Sequence, residues 1–309
     1  MVRVKVATEA AELKAVMEVR HQVFVVEDRY MVPEDGTTIV DVYDVLPETQ
    51  IIAAIRDGVV VGGCRTVIDS AAGLPSDLFY DFRSELPDAK LSTGGMLSVL
   101  TSARHTARLT KGLLKMMFYS AYARGSTHFV APVNPKVEPI VESVGMRRIG
   151  ENFVGGPKGL PSVPMVADLA NMSSEMSAFF ARQDVHSWLD TFKRSFYDDG
   201  EAIVEAGEYG DEAFLVVGGA AQALAPSPDG SPEAVVQAFE WGDVFGELAL
   251  LLDLPRSSTV RAVGDTDVMV LRREDFVRQV QSNPELAMAM LRSMGIRFRD
   301  AILHNKGQG

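Results

Sequence analysis

The chain has 309 residues, more than the ~250–300 at which a single core stops growing, so two domains are expected. Its hydrophobic content of 47% beside 23% charged residues is that of a globular chain, and a net charge of −12 argues against non-specific nucleic-acid binding, which needs Lys and Arg against phosphates. A single cysteine, Cys64, excludes an internal disulfide and a Cys-rich metal site; no metal is expected.

The N-terminus lacks the apolar block of a signal peptide, and no window approaches 18 uninterrupted apolar residues. No membrane span is expected, and a cytoplasmic location is.

Glu9–Glu27 places Leu13, Val16, Met17, Arg20, Val23 and Phe24 at helical spacing. "QIIAAIRDGVVVGGCRTVID" reads as two strands joined by an Asp57-Gly58 hairpin turn. "KLSTGGMLSVL" is a further strand whose two glycines suggest a bulge or a close backbone approach. "TARLTKGLLKMMFYSAYARG" is a helix ending at Gly125, and "THFVAPVNP" a strand stopped by Pro135. "VEPIVESVGMRRIGE" reads as a short helix, a turn and another strand.

"GGPKGLPSVPMVADLANMSSEMS", rich in Gly, Pro and Ser, reads as a connection. It sets the expected boundary between a domain of residues 1–172 and one of 173–309.

A helix is expected around Ser177–Arg194. Short strands follow: "EAIVEAG", "EAFLVVGG", "AAQALAP", "AVVQAFEWG", "STVRAVG" and "DVMVLRR", with an exposed loop "APSPDGSPEA" among them. Turn signals at this spacing predict a small antiparallel barrel or sandwich. Two helical stretches close the chain, the second carrying Met290, Met294 and Phe298 on one face. That stripe either folds over a ligand or packs on the barrel or a partner helix.

Within "DVFGELALLLDLPRSSTVRA", Gly246 permits close backbone approach at the start of a short helical turn. Arg256 offers a planar fork for two phosphate oxygens, Glu247 an acceptor for a ribose hydroxyl, and Ser257 and Ser258 further donors. The alternative is a plain Glu247–Arg256 salt bridge between two barrel segments.

Residues 200–276, with Gly200, Gly207, Gly210, Gly219 and Gly242 at turns, resemble the cyclic-nucleotide-binding domain of kinase regulatory subunits and catabolite-activator-like proteins. The resemblance implies that Glu247 binds the ribose 2′-OH and Arg256 the cyclic phosphate. Gly246, Leu248, Ala249, Ser257 and Ser258 would line the pocket. It implies cAMP as ligand, while the hydroxyl of Ser257 keeps cGMP open. With the sequence ending at Gly309, no helix-turn-helix module is expected, and the output of such a switch is expected upstream.

Upstream, the order helix, hairpin, strand, helix, strand, helix, strand resembles the GNAT acyltransferase fold, in which a thioester donor lies where the fourth and fifth strands splay. The expected fold class is therefore α+β. It combines a GNAT-like mixed sheet with flanking helices and a C-terminal antiparallel β-barrel with lid helices.

"RHQVF" (Arg20, Phe24), "DVYD" (Asp41, Asp44) and "GGCR" (Arg65) resemble acyl-homoserine-lactone synthases and long-chain N-acyl amino acid synthases. The resemblance implies a charged network around an amino-acid-like amine and an acyl donor carried by acyl carrier protein or coenzyme A. Leu97, Val99, Arg104, Arg108 and Gly112 would face that donor. The alternative is a salt-bridge network that only fixes the first helix to the sheet.

Two departures stand out. Thr93 occupies the place of an acidic residue and Met96 that of an arginine, and "RHTARLTKGLL" has one glycine where a pyrophosphate loop has more. A general base must then come from elsewhere: Glu27, His105 and His128 are available, with Tyr119 or Tyr122 as an acid for the leaving thiolate. The reading is an acyltransferase of bacterial signalling regulated by a cyclic nucleotide; its rival is a non-catalytic sensor with a degenerate acyltransferase module. A homodimer is an open assembly state.

Overall fold

The computed structural model describes residues 2–29, 31, 36–104, 107–155, 159–169, 171, 193–225, 234–282, 288 and 295. The chain divides into two compact units that change over between residues 178 and 195. The expected boundary at 172/173 falls among residues outside the described ones.

In the first unit, strands β1 (Val2–Val6), β2 (Thr49–Arg56), β3 (Val59–Ile68) and β4 (Leu91–Val99) run antiparallel in chain order. β5 (His128–Val133) joins β4 in parallel, and β8 (Leu160–Asp168) follows it antiparallel, flanked by the short β6 (Arg147–Arg148) and β7 (Phe153–Gly155). This is the mixed sheet expected.

Helix α1 (Ala10–His21) covers one face and α3 (Ala107–Ala123) the other; α2 (Phe82–Glu85) and α4 (Glu138–Glu142) are short connectors. The alternation of β3 assigns the faces. A Cβ on Gly63 would touch Val16 of α1, whereas Cys64 Sγ lies 3.9 Å from the Leu113 carbonyl and Thr66 Oγ1 3.5 Å from that of Met117, both on α3.

Two expectations are corrected here. The helix expected through Glu27 is α-helical to His21 and then widens into a π-type turn over Gln22–Glu27. Part of the expected connection is the core strand β8, buried from Ser162 to Ala167. Its prolines masked it, because proline cannot donate to a ladder. Here Pro164 stands opposite Pro132 and still accepts from the Ile149 amide through its carbonyl at 3.0 Å.

The second unit takes up β9 (Lys193–Tyr197) from Ser195 and contains β10 (Ala202–Val204), β11 (Glu212–Ala225), β12 (Ala234–Phe239), β13 (Val244–Phe245), helix α5 (Glu247–Leu252), β14 (Thr259–Arg272) and helix α6 (Arg273–Ser282). β11 pairs antiparallel with β12, β13 and β14, and β10 with β14. Their inner faces build a core around Phe214, Phe239, Phe245 and Val268.

Four of the expected short strands are in fact two long ones. β11 and β14 each run 14 residues, and the glycine signals mark register shifts within their ladder, between Val216 and Ala220, rather than strand ends. Gly219, at φ 70°, lies so close to Asp265 that a Cβ would collide with its backbone. Lys193 and Arg194, expected in a helix, open β9. The rest of that helix, the centre of the "APSPDGSPEA" loop, and Met290, Met294 and Phe298 lie outside the described residues.

Candidate functional site

In the first unit, β4 and β5 pair only at Leu91–His128, Ser92–Phe129 and Thr93–Val130. Beyond that point β4 stays on β3 as far as Val99 and β5 on β8 as far as Val133, so the two strands diverge into a fork. Thr93 closes its base by donating Oγ1 to the Val130 carbonyl at 2.6 Å.

Just past the base, β4 carries the bulge anticipated from "TGGM". The register with β3 shifts between Gly63 and Arg65, and Met96 takes φ 53°, a left-handed conformation that costs a non-glycine residue about 1 kcal/mol or more. Leu97 is half-buried at the bulge and Val99 is buried.

The "DVYD" aspartates are presented by a single helical turn over Val42–Val45, whose N-cap is Asp41 and whose third residue is Asp44. Asp41 accepts from the Tyr43 amide, and Asp44 accepts from the Asp41 amide, both at 2.9 Å. This reciprocal cap aims both carboxylates at the sheet.

Arg20 Nη1 donates to both oxygens of Asp44 at 2.9 Å. Arg65 forks onto Asp41 at 2.5 and 2.8 Å and reaches Asp44 at 3.0 Å. Arg20 is 0% exposed, Arg65 3%, and the Asp44 side chain 1%. Burial depresses the Arg20 guanidinium, partly offset by Asp44, whereas for Arg65 the paired carboxylates outweigh burial and raise it.

Two cations and two anions thus form one neutral cluster. Three of its donors, Arg20 Nε and Nη2 and Arg65 Nε, are buried without a hydrogen-bond partner. Each such group costs about 1–3 kcal/mol, so the cluster is not optimised for stability alone. Gly95 stands on the Arg65 face, where an added Cβ would lie 3.7 Å from Arg65 Nε.

Phe24 is half-buried on the π-type turn that follows Arg20. Tyr43, not singled out from sequence, lies under Arg65 with its ring centroid 5.6 Å from the guanidinium carbon.

The candidates for proton transfer and donor binding are scattered. Glu27, a candidate base, accepts from Thr101 N at 3.1 Å, Thr101 Oγ1 at 2.7 Å and Arg104 Nη2 at 3.4 Å. Arg104, expected to meet a phosphate, also forks onto Asp28 at 3.1 Å and donates to the Val99 carbonyl at 2.6 Å. The two side chains tie the π-type turn to the end of β4. The turn brings Glu27 there, and helical periodicity alone could not have shown it.

His128 pairs with Leu91 at the closed end of the fork, and its Nδ1 lies 3.0 Å from Thr127 Oγ1. On α3, Arg108 and Tyr122 are half-buried, and Gly112 and Tyr119 buried. His105 lies outside the described residues.

The second unit is more convergent. Gly246, Glu247, Leu248, Ala249, Arg256, Ser257 and Ser258 all line one cavity of ≈ 540 Å³ including its open mouth. Glu247 is buried in the first turn of α5, and Arg256 is 7% exposed.

The Arg256 guanidinium donates to the carbonyls of Gly246 at 2.8 Å and Glu212 at 2.6 Å. It lies between two glycines, since a Cβ on Gly246 would come within 2.7 Å of Nη1 and one on Gly210 within 2.6 Å of Nη2. Gly246 needs its glycine twice, for this contact and for φ 78°. Burial lowers the Arg256 pKa, with Glu212, Asp211, Glu208 and Glu247 opposing in that order.

Residues not singled out from sequence complete the wall: Val204, Ala223, Val236, Gln237, Phe239, Phe245 and Val260. Strand alternation could have found Phe239 but not both Val236 and Gln237.

Residues 15–168 match the family described as N-acyl amino acid synthase FeeM, and residues 194–283 match the cyclic nucleotide-binding domain. The chain joins a FeeM-like unit to one similar to cyclic nucleotide-binding domains. The second part is similar to a cAMP-dependent protein kinase regulatory subunit of Mycosarcoma maydis, with 43% identity over 27% of this chain and 15% of that protein. It is also similar to the cyclic AMP receptor protein of Thermus thermophilus, with 31% identity over 40% of this chain and 56% of that protein. The chain thus spans little more than half of these curated relatives, or much less.

Among solved structures, FeeM, an N-acyl amino acid synthase from uncultured soil microbes, aligns at 15% identity with a TM-score of 0.48, over 55% of this chain and 92% of that one. No helix among the described residues is long and apolar enough to cross a membrane.

Proposed function

We propose that the FeeM-like unit transfers an acyl group from acyl carrier protein or coenzyme A to the amine of an amino acid, and that cAMP, or secondarily cGMP, bound in the second unit regulates it. The amine nitrogen attacks the thioester carbonyl, the N–C bond forms, the C–S bond breaks, and the thiol leaves with a proton. The observation that carries the acceptor assignment is the set of three donor nitrogens on Arg20 and Arg65 that no protein group satisfies, which a substrate carboxylate would reach through a local opening because they are buried. A carboxylate is the ligand that planar guanidinium donors match best. Leu97 and Val99 on the β4 arm of the fork are the proposed donor contacts.

For the regulator, Arg256 takes the cyclic phosphate and Glu247 the ribose 2′-OH. Arg256 has five N–H donors, and its two carbonyl contacts leave capacity for a phosphate. Regulation requires the nucleotide to prefer one of two states of the protein, with a coupling of typically about 1–3 kcal/mol.

The test is N-acyl product formation by the full chain from acyl carrier protein or coenzyme A thioesters and a mixture of amino acids, with and without cAMP, read by mass spectrometry. Product whose rate changes with cAMP supports the whole proposal. Product indifferent to cAMP removes the regulatory half.

A second reading is a non-catalytic nucleotide sensor. It is favoured by Thr93 where synthases carry an acid, and by the engagement of Glu27 with Arg104. Nucleotide binding without product from any donor decides for it.

A further inference from the structure

We propose that Gln237 reads the nucleobase and makes the pocket selective for adenine. The inference rests on the cyclic-nucleotide reading of the cavity given above. With Glu247 and Arg256 assigned to ribose and phosphate, and Ser257 and Ser258 adjoining Arg256 in the chain, Gln237 is the polar side chain left for the base among the described residues of the wall. It stands on β12, a different element from the cassette.

Its position follows from strand alternation: Gln237 lies two residues from Phe239 in an unbroken stretch of the ladder, Ala221–Phe239 to Ala223–Gln237, and shares its face. On β12, Gln237 pairs with Ala223 and Val235 with Leu224, so Val236 has no partner across the ladder. This is a β-bulge, which inserts one residue and re-aims its neighbours. In a regular strand Val236 and Gln237 would face opposite sides; here both line the cavity. Without the extra residue, Gln237 and Val236 could not both serve this wall.

The opposite residue, Ala223, also lines the cavity, and its small side chain leaves room for a flat ring beside the amide.

The chemistry then selects the base. A glutamine amide carries a donor and an acceptor side by side. Adenine offers a matching pair on one edge: N7 accepts and the N6 amino group donates. Guanine offers two acceptors there, O6 and N7, so the amide carbonyl would oppose O6. A good bidentate pair of this kind discriminates between bases by roughly tenfold or more.

The experiment is calorimetric titration of the full chain with cAMP and with cGMP. The unaltered protein is expected to prefer cAMP. Gln237→Leu, similar in shape but without polar atoms, is expected to lose about tenfold in cAMP affinity and little in cGMP affinity. Gln237→Lys, a donor alone, is expected to move the ratio toward cGMP, because both of guanine's acceptors then face a donor.

A cAMP:cGMP ratio unchanged in both variants overturns the inference, as does a preference for cGMP in the unaltered protein. Binding of neither nucleotide by the unaltered protein overturns the pocket reading itself, a distinct result in which no ratio exists to compare.

Discussion

Arg256 donates from Nη1 to the carbonyl oxygen of Gly246 at 2.8 Å, ten residues earlier in the chain. The contact fixes the guanidinium against the backbone that opens α5, so the two ends of the cassette are held together before any ligand arrives. Gly246 and Gly210 are the residues that let it lie there.

Replacing Arg256 by Ala is accordingly expected to weaken cAMP binding by roughly a hundredfold or more, because a cyclic phosphate loses its charged fork. Arg256→Lys keeps the charge without the fork and is expected to fall between the two. Calorimetry on the full chain measures both, and wild-type affinity in the alanine variant would return Arg256 to a purely structural role.

Arg20 and Asp44 make the complementary case in the first unit. Removing Arg20 strands one negative charge in the buried cluster, because Arg65 alone then faces both Asp41 and Asp44, so Arg20→Ala is expected to destabilise the fold by about 3–5 kcal/mol in denaturant unfolding. Adding Asp44→Ala should cost less than the sum of the single losses, because the stranded charge is then gone. Strict additivity would mean that the two side chains do not depend on each other.

Gly94 and Gly95 are adjacent but face opposite sides of β4. A Cβ on Gly94 would lie 2.5 Å from Phe129 Cζ and 2.7 Å from Met117 Sδ, both buried residues, so Gly94→Ala is expected to cost roughly 1–3 kcal/mol. On Gly95 the nearest atom is Arg65 Nε at 3.7 Å. Gly95→Ala should therefore leave stability unchanged or raise it by up to about 1 kcal/mol. Thermal melts of the two variants separate these outcomes.

Acid titration probes the same network. Burial raises the Asp41 carboxyl, but the hydrogen bond and charge of Arg65 more than offset it, leaving it below its ordinary 3.8. Asp69 is likewise depressed, mainly by its hydrogen bond to Arg83. A depressed carboxylate stabilises the fold above the unfolded-state value, and that stability is lost as pH falls through the folded-state value. The unfolding midpoint is expected to hold from neutral pH to about pH 5 and to fall below roughly pH 4. Arg65→Met should flatten the part of that fall due to Asp41, while a fall of unchanged size would assign it elsewhere.

Sequence by itself pointed to the α+β class, to the mixed sheet with helices on its faces, to a bulge or close approach at the β4 glycines, and to seven residues that share one cavity. The elements rest on local signals, side-chain periodicity and turn chemistry; the sheet and the seven residues, which lie within a 13-residue stretch, rest on the family resemblances those segments carry.

Tertiary structure alone decided the rest. Proline silenced the strand signal of β8, although Pro164 needs no N–H to serve as an acceptor for Ile149. The π-type turn after α1 carried Glu27 to Thr101 and Arg104, 74 and 77 residues away, and gave a candidate base a structural tie. A bulge at a single unpaired residue, Val236, put it on the cavity wall beside Gln237. In each case the deciding contact joins segments distant in sequence, and a spacing rule carries no information about where a distant segment will lie.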